Sequence, residues 1–276
     1  MNPILIAFLV VSAVGLAAGI VIALISRFFG VEEDPKVKQI RTCLPGINCG
    51  ACGFKGCDDY AAALANGKAA PNLCIPGGNG TAEEIGNILG VKAQSIRHMV
   101  AFVHCNGHCE ATTKKATYQG ISNCKAAAAI YGGPGNCRFG CLGFGDCSLV
   151  CPAEAICMKD GIAHVDASLC LGCGMCTTVC PKHVITMVPE KANIAVMCNN
   201  GDKGADARAV CKNACIGCKK CEKFCPEQAI SVKDNLAVID YTKCVGCGTC
   251  ADGCPVDCLK KVIFPPLRPR AKTKAE

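Results

Sequence analysis

Four groups of cysteines, each followed directly by a proline, are the residues of this chain best suited to do chemistry. Three groups share the spacing C-x2-C-x2-C-x3-C-P, and the fourth is looser, with intervals of three, five and three residues. Thiolates at this spacing bind iron–sulfur cubanes, because three of them wrap around one cluster while the fourth reaches across to a second. The regular runs are Cys215, Cys218, Cys221 and Cys225, then Cys244, Cys247, Cys250 and Cys254, and also Cys170, Cys173, Cys176 and Cys180; the looser run is Cys137, Cys141, Cys147 and Cys151.

The runs occur in two pairs, and the pairing predicts how they share ligands. In a two-cluster ferredoxin, the first three cysteines of one run share a 4Fe-4S cluster with the last cysteine of its partner. Each pair therefore forms one ferredoxin-like unit, and the two units hold four clusters. The predicted sets are Cys137, Cys141 and Cys147 with Cys180; Cys170, Cys173 and Cys176 with Cys151; Cys215, Cys218 and Cys221 with Cys254; and Cys244, Cys247 and Cys250 with Cys225.

A further group nearer the N-terminus has the different spacing C-x2-C-x4-C-x16-C. Glycines lie between and beside its cysteines, as expected where the backbone must turn tightly close to a cluster. This group predicts a small single-cluster domain and a fifth 4Fe-4S cluster. Its ligands are Cys49, Cys52, Cys57 and Cys74.

Eight cysteines remain outside these five sets. Four of them lie before the first unit or between the two units, where they could meet at a sixth cluster, with Cys109 as a substitute ligand. The alternative is that they are small buried residues, as free cysteines often are. The predicted sixth set is Cys105, Cys124, Cys198 and Cys211, and the others are Cys43, Cys109, Cys157 and Cys258.

The composition weighs against other uses of the cysteines. The chain has 28 cysteines among 276 residues and no tryptophan, so an aromatic-rich core is not available to most of it. Disulfides would link cysteines that are far apart in the sequence, whereas the cysteines of this chain occur in closely spaced groups. Zinc ribbons use pairs of C-x2-C separated by a longer spacer, which three intact runs of four do not match.

The net charge does not indicate a nucleic-acid-binding protein. The formal charge is +7, but each oxidised cubane with its four thiolates adds about −2, so five clusters bring the sum to about −3. The basic side chains therefore balance cluster charge. The sequence also has no dinucleotide-binding or phosphate-binding glycine motif and no nucleophile with its base, so we expect no catalytic residue on this chain.

The N-terminal segment predicts a membrane anchor. Residues 1–26 carry no charged side chain and are almost wholly apolar, long enough to span a bilayer as one helix. A signal peptide is the competing interpretation, but a basic region before the apolar run is missing and the run is longer than usual. Basic residues follow the segment, from Arg27 to Arg41, so the positive-inside rule places the N-terminus outside and the cysteine-rich body in the cytoplasm.

These elements predict an α+β chain. We expect a short helix over 58–67, a second that opens with a capping box at Thr81 and stops at Gly90, and a hairpin over 229–239. The predicted order is a transmembrane helix (1–26), a linker (27–42), the single-cluster domain (43–100), the first two-cluster unit with an N-terminal extension (101–190), a connection (191–210), the second two-cluster unit (211–262) and a basic tail (263–276).

Two motifs give this order a family resemblance. The stretches NCGACGFKGC, which ends at Cys57, and GCLGFGDC, which ends at Cys147, resemble signatures of the B subunits of Rnf complexes, in their long form with two ferredoxin units. The resemblance covers nearly the whole chain. It implies that the five predicted cysteine sets bind 4Fe-4S clusters.

The same resemblance implies a function. The family carries electrons from soluble reduced ferredoxin toward membrane subunits and to NAD on another subunit, and this flow drives Na⁺ or H⁺ across the membrane. The implied partners are those subunits, ferredoxin and membrane lipid, without nucleic acid. Lys219, Lys220 and Lys223 are candidates for meeting an acidic ferredoxin.

Two alternatives remain open. One is a membrane-anchored polyferredoxin that serves a hydrogenase or a corrinoid-reducing system. The other is a zinc-binding interaction protein without redox activity.

Overall fold

The apolar N-terminal segment forms one long helix, α1 (Pro3–Phe28), in the computed structural model, which describes residues 3–28 and 34–265. Proline at the first helical position suits a helix start, because its missing N–H needs no partner there. Residues Pro3–Ile25 have a mean hydropathy of 2.8, and their apolar window is not buried by the rest of the described chain. This helix is long and apolar enough to cross a membrane. Most of the predicted basic tail lies outside the described residues.

Three helices form the single-cluster domain: α2 (Pro35–Cys43), α3 (Cys57–Ala65) and α4 (Gly78–Leu89). Ile40, Leu64 and Ile85, one from each helix, are fully buried together. The sequence assigned residues 27–42 to a linker, and this has to be corrected. Asp34 caps α2 by accepting a hydrogen bond from the Lys36 N–H at 2.8 Å, and Ile40 then anchors the helix in the core of the domain.

The helix predicted over 58–67 is present as α3, whereas the predicted start of α4 is wrong. Thr81 lies inside α4, and its hydroxyl donates to the Cys43 carbonyl at 3.3 Å. This contact with the end of α2 occupies the side chain that was expected to cap the helix, and the helix begins one turn earlier. Its predicted end is confirmed, since Gly90 has a left-handed φ of 70°.

Two small sheets build the first two-cluster unit. β1 pairs with β4 antiparallel across most of the unit, and β2 and β3 form a hairpin. The short helices lie between the strands, each beginning near a cysteine. The elements are β1 (Met99–Val103), α5 (Cys124–Ala129), α6 (Asp146–Leu149), β2 (Ile156–Lys159), β3 (Ile162–Val165), α7 (Met175–Val179) and β4 (Ile185–Pro189).

The second unit repeats this plan. β5 pairs with β8 antiparallel, and β6 and β7 form the hairpin. The second unit therefore begins at Ile194, and residues 191–210, predicted as a connection, include its first strand. The elements are β5 (Ile194–Val196), α8 (Gly204–Val210), α9 (Lys220–Phe224), β6 (Ile230–Lys233), β7 (Leu236–Ile239), α10 (Thr249–Asp252) and β8 (Leu259–Lys261).

The predicted hairpin over 229–239 is confirmed. β6 and β7 are joined by Asp234 and Asn235, both with positive φ, at 47° and 63°. Two successive residues with positive φ form a hairpin turn whose twist matches that of the two flanking strands. Asp and Asn adopt positive φ more readily than most other residues.

Candidate metal centres

The cysteines converge on a small number of cavities. All 28 lie in the part of the chain that the structure describes, and none forms a disulfide. Five cavities are each lined by at least four cysteines.

The single-cluster domain brings its four predicted ligands together. Cys49, Cys52, Cys57 and Cys74 line one cavity, as their spacing predicts. The Asn48 side chain holds the loop by accepting a hydrogen bond from the Cys57 N–H at 2.8 Å.

Tyr60 closes the other side of this cavity. It is 1% exposed, and its hydroxyl donates to the Ala70 carbonyl at 2.7 Å and accepts from the Leu73 N–H at 3.2 Å. Burial raises the pKa of Tyr60 to about 12, so this hydroxyl stays neutral. The aromatic ring therefore keeps water from the cavity without adding charge.

The second unit groups its cysteines as predicted for a two-cluster ferredoxin. Each set takes three cysteines from one run and the fourth from the other run. One cavity is lined by Cys225, Cys244, Cys247 and Cys250, and a second by Cys215, Cys218, Cys221 and Cys254. Cys258, which is 1% exposed, also lines the second of these cavities.

A recurring turn follows the last cysteine of each run. The residue three positions after that cysteine has a φ near 50° in all four runs, at Glu154, His183, Gln228 and Asp257. In three runs the next N–H then donates back to the cysteine sulfur, at 3.3–3.4 Å. Such N–H groups stabilise a thiolate, and the proline after each cysteine favours the turn.

In the first unit, one predicted set is brought together. Burial raises the pKa of Cys173, and charge on the nearby Cys49, Cys151 and Cys170 raises it further. The pKa of Cys176 rises to about 12, first by burial and then through Cys170 and its other neighbours. Cys170 and Cys176 also lie in one buried cluster of the unit with Cys151 packed against it, and Cys173 is close to them.

The other predicted set of the first unit is not brought together as expected. Cys141, Cys147 and Cys180 line a cavity whose fourth cysteine is Cys124, whereas Cys137 lies elsewhere. The sequence had assigned Cys137 to this position and Cys124 to the sixth set. In the structure, Cys124 occupies the position that was predicted for Cys137.

Hydrogen bonds explain why Cys124 lies at this cavity. Asn123 caps α5 by accepting from the Ala126 N–H at 2.6 Å. The buried Asp146 carboxylate accepts from the Cys124 N–H at 2.7 Å and from the Lys125 N–H at 3.2 Å. Since Asp146 directly precedes Cys147, these bonds place the start of α5 beside that ligand.

The remaining cysteines of the predicted sixth set also meet. Cys105, Cys198 and Cys211 line one cavity together with Cys137. Cys141 lines both this cavity and the neighbouring one that contains Cys124, Cys147 and Cys180. Cys109 and Cys157 are exposed, and Cys43, the last residue of α2, packs against the core of the single-cluster domain.

The cavities fit a cluster of several atoms better than one ion. Among the residues that the structure describes, no three His, Cys, Asp or Glu side chains lie close enough together to hold a single metal ion. Four of the cavities, each lined by at least four cysteines, measure about 310–350 Å³ including space open to solvent. Four thiols spread around such a space match the donor set of a cubane.

Burial keeps the free thiols of these sites neutral. It raises the pKa of Cys74 to about 11 and that of Cys147 to about 12. A thiol must lose its proton to bind metal, and in these buried places a cation must offset the cost of the charge. Thiolates are therefore stable at these sites only together with a group, such as a cluster, whose metal ions offset their charge.

Comparisons with known proteins agree with this chemistry. A family model for an Fe-S cluster matches residues 44–76, one for a 4Fe-4S binding domain matches residues 162–185, and one for a 4Fe-4S dicluster domain matches residues 214–258. The fold class predicted from the sequence is confirmed by these matches and by the mixture of helices and strands.

Three curated relatives match most of the chain. The B subunit of the Na(+)-translocating ferredoxin:NAD(+) oxidoreductase complex of Acetobacterium woodii is 44% identical over 260 residues, 94% of this chain and 78% of the relative. The proton-translocating counterpart of Clostridium ljungdahlii is 43% identical over 87% of this chain and 85% of its own length. The B subunit of the ion-translocating oxidoreductase complex of Methanosarcina acetivorans is 39% identical, over 85% of this chain and 89% of its own.

The match in sequence extends over nearly the whole chain, and the three family models match it in the order of the single-cluster domain, the first unit and the second unit. This chain belongs to the family of B subunits of ion-translocating ferredoxin:NAD(+) oxidoreductases, the Rnf complexes.

Proposed function

We propose that this chain carries electrons from reduced ferredoxin to the other subunits of an ion-translocating ferredoxin:NAD(+) oxidoreductase. The observation that carries the proposal is the succession of four-cysteine groups from the second unit to the single-cluster domain. The B subunits of Acetobacterium woodii and Clostridium ljungdahlii belong to complexes of this activity.

The residues of the chain hold and tune the cofactors. When bound, each 4Fe-4S cluster supplies a one-electron redox couple. The cysteine sets that meet in the structure are its proposed ligands, with Cys124 in place of Cys137 in the first unit. Backbone N–H groups donate to ligand sulfurs, and the buried surroundings exclude water. Both features act on the redox potential, and no bond-making residue is needed.

Contacts between sets support a direction. Charge on Cys49 of the single-cluster domain acts on Cys173 of the first unit, and a Cβ atom at the adjacent Gly172 would lie 3.2 Å from the Ile75 side chain of that domain. Within the first unit, Cys147 acts likewise on Cys176. The single-cluster domain follows α1, so it lies nearer to the membrane than the second unit does along the chain. We therefore place ferredoxin at the second unit and the membrane subunits near the single-cluster domain.

The membrane orientation is part of the proposal. The chain is a membrane-associated subunit with one apolar N-terminal helix. Lys36, Lys38 and Arg41 follow that helix. The positive-inside rule therefore favours an N-terminus outside, α1 in contact with lipid and the cysteine-rich body in the cytoplasm.

The second unit offers a surface for an acidic ferredoxin. Lys219, Lys220 and Lys223 are exposed at the start of α9 and beside the exposed Cys218. Phe224 is 45% exposed at the end of the same helix. Positive charge with an apolar side chain close to a ligand would steer a ferredoxin and bring it near a cluster.

Charge reversal tests this surface. The triple variant Lys219→Glu, Lys220→Glu and Lys223→Glu should slow ferredoxin oxidation by the purified complex about tenfold or more at low salt, because steering contributes at least that much to such encounters. The difference should shrink as salt screens the charges. Stopped-flow bleaching of reduced ferredoxin measures the rate.

The matched control reverses three exposed lysines elsewhere, Lys68, Lys92 and Lys159. It should leave the rate within about twofold of the unmodified complex. An unchanged rate in the α9 variant at low salt would remove ferredoxin docking from this surface. A complex that passes no electrons from ferredoxin to NAD would contradict the proposed function itself.

A further inference from the structure

The two cavities of the second unit differ in the charge that lines them. Among the residues that the structure describes, one charged side chain lines each cavity, Lys219 in one and Glu227 in the other. Two otherwise similar sites therefore carry opposite charges. We call the cysteines beside Lys219 the inner set (Cys215, Cys218, Cys221 and Cys254) and those beside Glu227 the outer set (Cys225, Cys244, Cys247 and Cys250).

Lys219 occupies a backbone position that favours glycine. It directly precedes α9 and has a left-handed φ of 59°. The residue before the corresponding short helix of each other run is a glycine, with φ of 85° at Gly145, 74° at Gly174 and 88° at Gly248. A residue with a Cβ atom is strained in this conformation, and such strain is typical of functional positions. The chain thus places a lysine at the inner set where glycine would fit more easily.

The other charges of α9 do not cancel that of Lys219. Glu222 accepts a hydrogen bond from the Val232 N–H, which stabilises its carboxylate at the start of the hairpin. Lys220 and Lys223 are exposed on the same helix and do not line the cavity. Three lysines and one glutamate therefore leave this end of the inner set positively charged.

Glu227 lies two residues after the last cysteine of its run and lines the cavity of the outer set. Hydrogen bonds from Thr249 lower the pKa of the Cys247 thiol, and the negative charge of Glu227 opposes this shift. The equivalent residue at the inner set is Val256, which lines that cavity and carries no charge. The negative charge is therefore confined to the outer set.

The lysines around the outer set are offset by carboxylates. Lys261 pairs with Asp252 at 2.7 Å. Local hydrogen bonds lower the pKa of Asp240, and the charge of Lys243 lowers it further. Since each of these lysines acts on a carboxylate, Glu227 determines the sign of the charge at the outer set.

The inner set lies on the side of the second unit that meets the first unit. The Cys215 N–H donates to the Cys198 sulfur at 3.4 Å, and Cys198 lines a cavity together with Cys137 of the first unit. Arg138, the residue after Cys137, pairs with Asp202 of the second unit. This pair draws the Cys137 loop toward Cys198 and away from its predicted set. An electron that leaves the second unit for the first therefore leaves from the inner side.

We propose that Lys219 and Glu227 set the redox potentials of the two clusters of the second unit apart. A reduced cluster is more negative than an oxidised one, so Lys219 stabilises the reduced form and raises the potential, whereas Glu227 lowers it. One electron then passes from the outer set, which is oxidised, to the inner set, which is reduced, and no proton moves. The proposal rests on the proposed electron-carrying function and adds the residues that give it a direction within the second unit.

An EPR-monitored redox titration tests the proposal, on the full-length chain purified without oxygen in detergent and at low salt. Lys219→Gly should lower the potential of the inner set, and Glu227→Gln should raise that of the outer set, both with unchanged iron content. The double variant should bring the two potentials closer together. The shifts should shrink at high salt, because both side chains are exposed.

Further variants of Lys219 separate its charge from its backbone conformation. Lys219→Arg retains the charge and should retain the potential of the inner set. Lys219→Gln retains the Cβ atom and should lower the potential as Lys219→Gly does. A shift in the glycine variant alone would assign the effect to the backbone and overturn the role of the charge.

Matched controls remove charges of the same unit that line neither cavity. Lys220→Gln removes the neighbouring lysine, and Asp234→Asn removes an exposed carboxylate from the hairpin turn, where Asn tolerates the positive φ. Both should leave the two potentials near those of the unmodified chain. Cys218→Ser and Cys247→Ser alter one exposed ligand in each set and so identify the EPR signal of that set.

Each other result counts against a stated part. Unchanged potentials in both Lys219→Gly and Glu227→Gln would overturn the proposal and leave the proposed function intact. Equal shifts in the controls would mean that the total charge of the unit, and not these two positions, sets the potentials. An outer set with the higher potential in the unmodified chain would overturn the direction. Clusters that titrate as expected in a complex that does not oxidise ferredoxin would instead contradict the proposed function.

Discussion

At the scale of single residues, Cys258 is a cysteine that is not a predicted ligand but contacts cysteines that are. It is buried, and its thiol hydrogen-bonds to Cys198 and Cys215, which line two different cavities. This donation lowers the pKa of Cys198 to about 7 and that of Cys215 to about 6. A thiol has one proton, so it serves one of the two sulfurs at a time.

The substitution Cys258→Ala should lower the potentials of the adjacent clusters without removing iron. A hydrogen bond to sulfur stabilises the more negative, reduced form. A net bond of about 1 kcal/mol corresponds to about 40 mV for one electron, so we expect shifts of tens of millivolts. EPR-monitored redox titration measures them.

Cys258→Ser is the matched control, because its hydroxyl still donates. It should retain most of the unmodified potential. An equal shift in both variants would mean that packing and not the hydrogen bond sets the potential, and a loss of four iron atoms in either would make Cys258 a ligand.

At the scale of elements, α5 determines which cysteine completes a ligand set. The looser spacing of the run that starts at Cys137 leaves its first position unsuited to the first unit. Helix α5 supplies Cys124 instead, and the Asp146 carboxylate holds the start of that helix against the next ligand. One side chain thus decides the content of two sites.

Replacing Asp146 by alanine should therefore empty one site of the first unit. Two N–H groups at the start of α5 would lose their buried acceptor, which costs about 1–3 kcal/mol for each group, and Cys124 would be free to move. We expect a loss of about four iron atoms in the full-length chain. Asp146→Asn should lose less, because an amide oxygen still accepts from Cys124; equal iron in both variants and the unmodified chain would contradict the role of this cap.

The elements also explain what the sequence could and could not predict. Regular runs fix their own geometry, so the two sets of the second unit and the hairpin turn at Asp234 follow from spacing and turn chemistry. The exchange of Cys124 and Cys137 depends on Asp146 and Asp202, which act across 22 and 64 residues. Strand β5 is equally hard to predict, since its three residues are stabilised by β8 near the other end of the unit.

At the scale of the whole molecule, the two ferredoxin units have cores that depend on their cysteines. The core of the first unit contains Cys105, Cys147, Cys170 and Cys176 among alanines and small β-branched residues, and the core of the second is built alike. The single-cluster domain has larger apolar side chains, including Leu64 and Tyr60. Small side chains bury little area, so cluster ligation must supply much of the stability of the units.

Removing iron should therefore unfold the two ferredoxin units while α1 remains helical in detergent. We expect chelation under anaerobic conditions to bleach the absorption near 400 nm and, in step with it, to remove amide hydrogen-exchange protection from β1 to β8. The helix α1 needs no cluster, because its backbone hydrogen bonds are internal and its side chains face lipid or detergent. Strands that stay protected after the iron has gone would mean that apolar packing alone holds the units together, and the cysteines would then be needed for electron transfer but not for the fold.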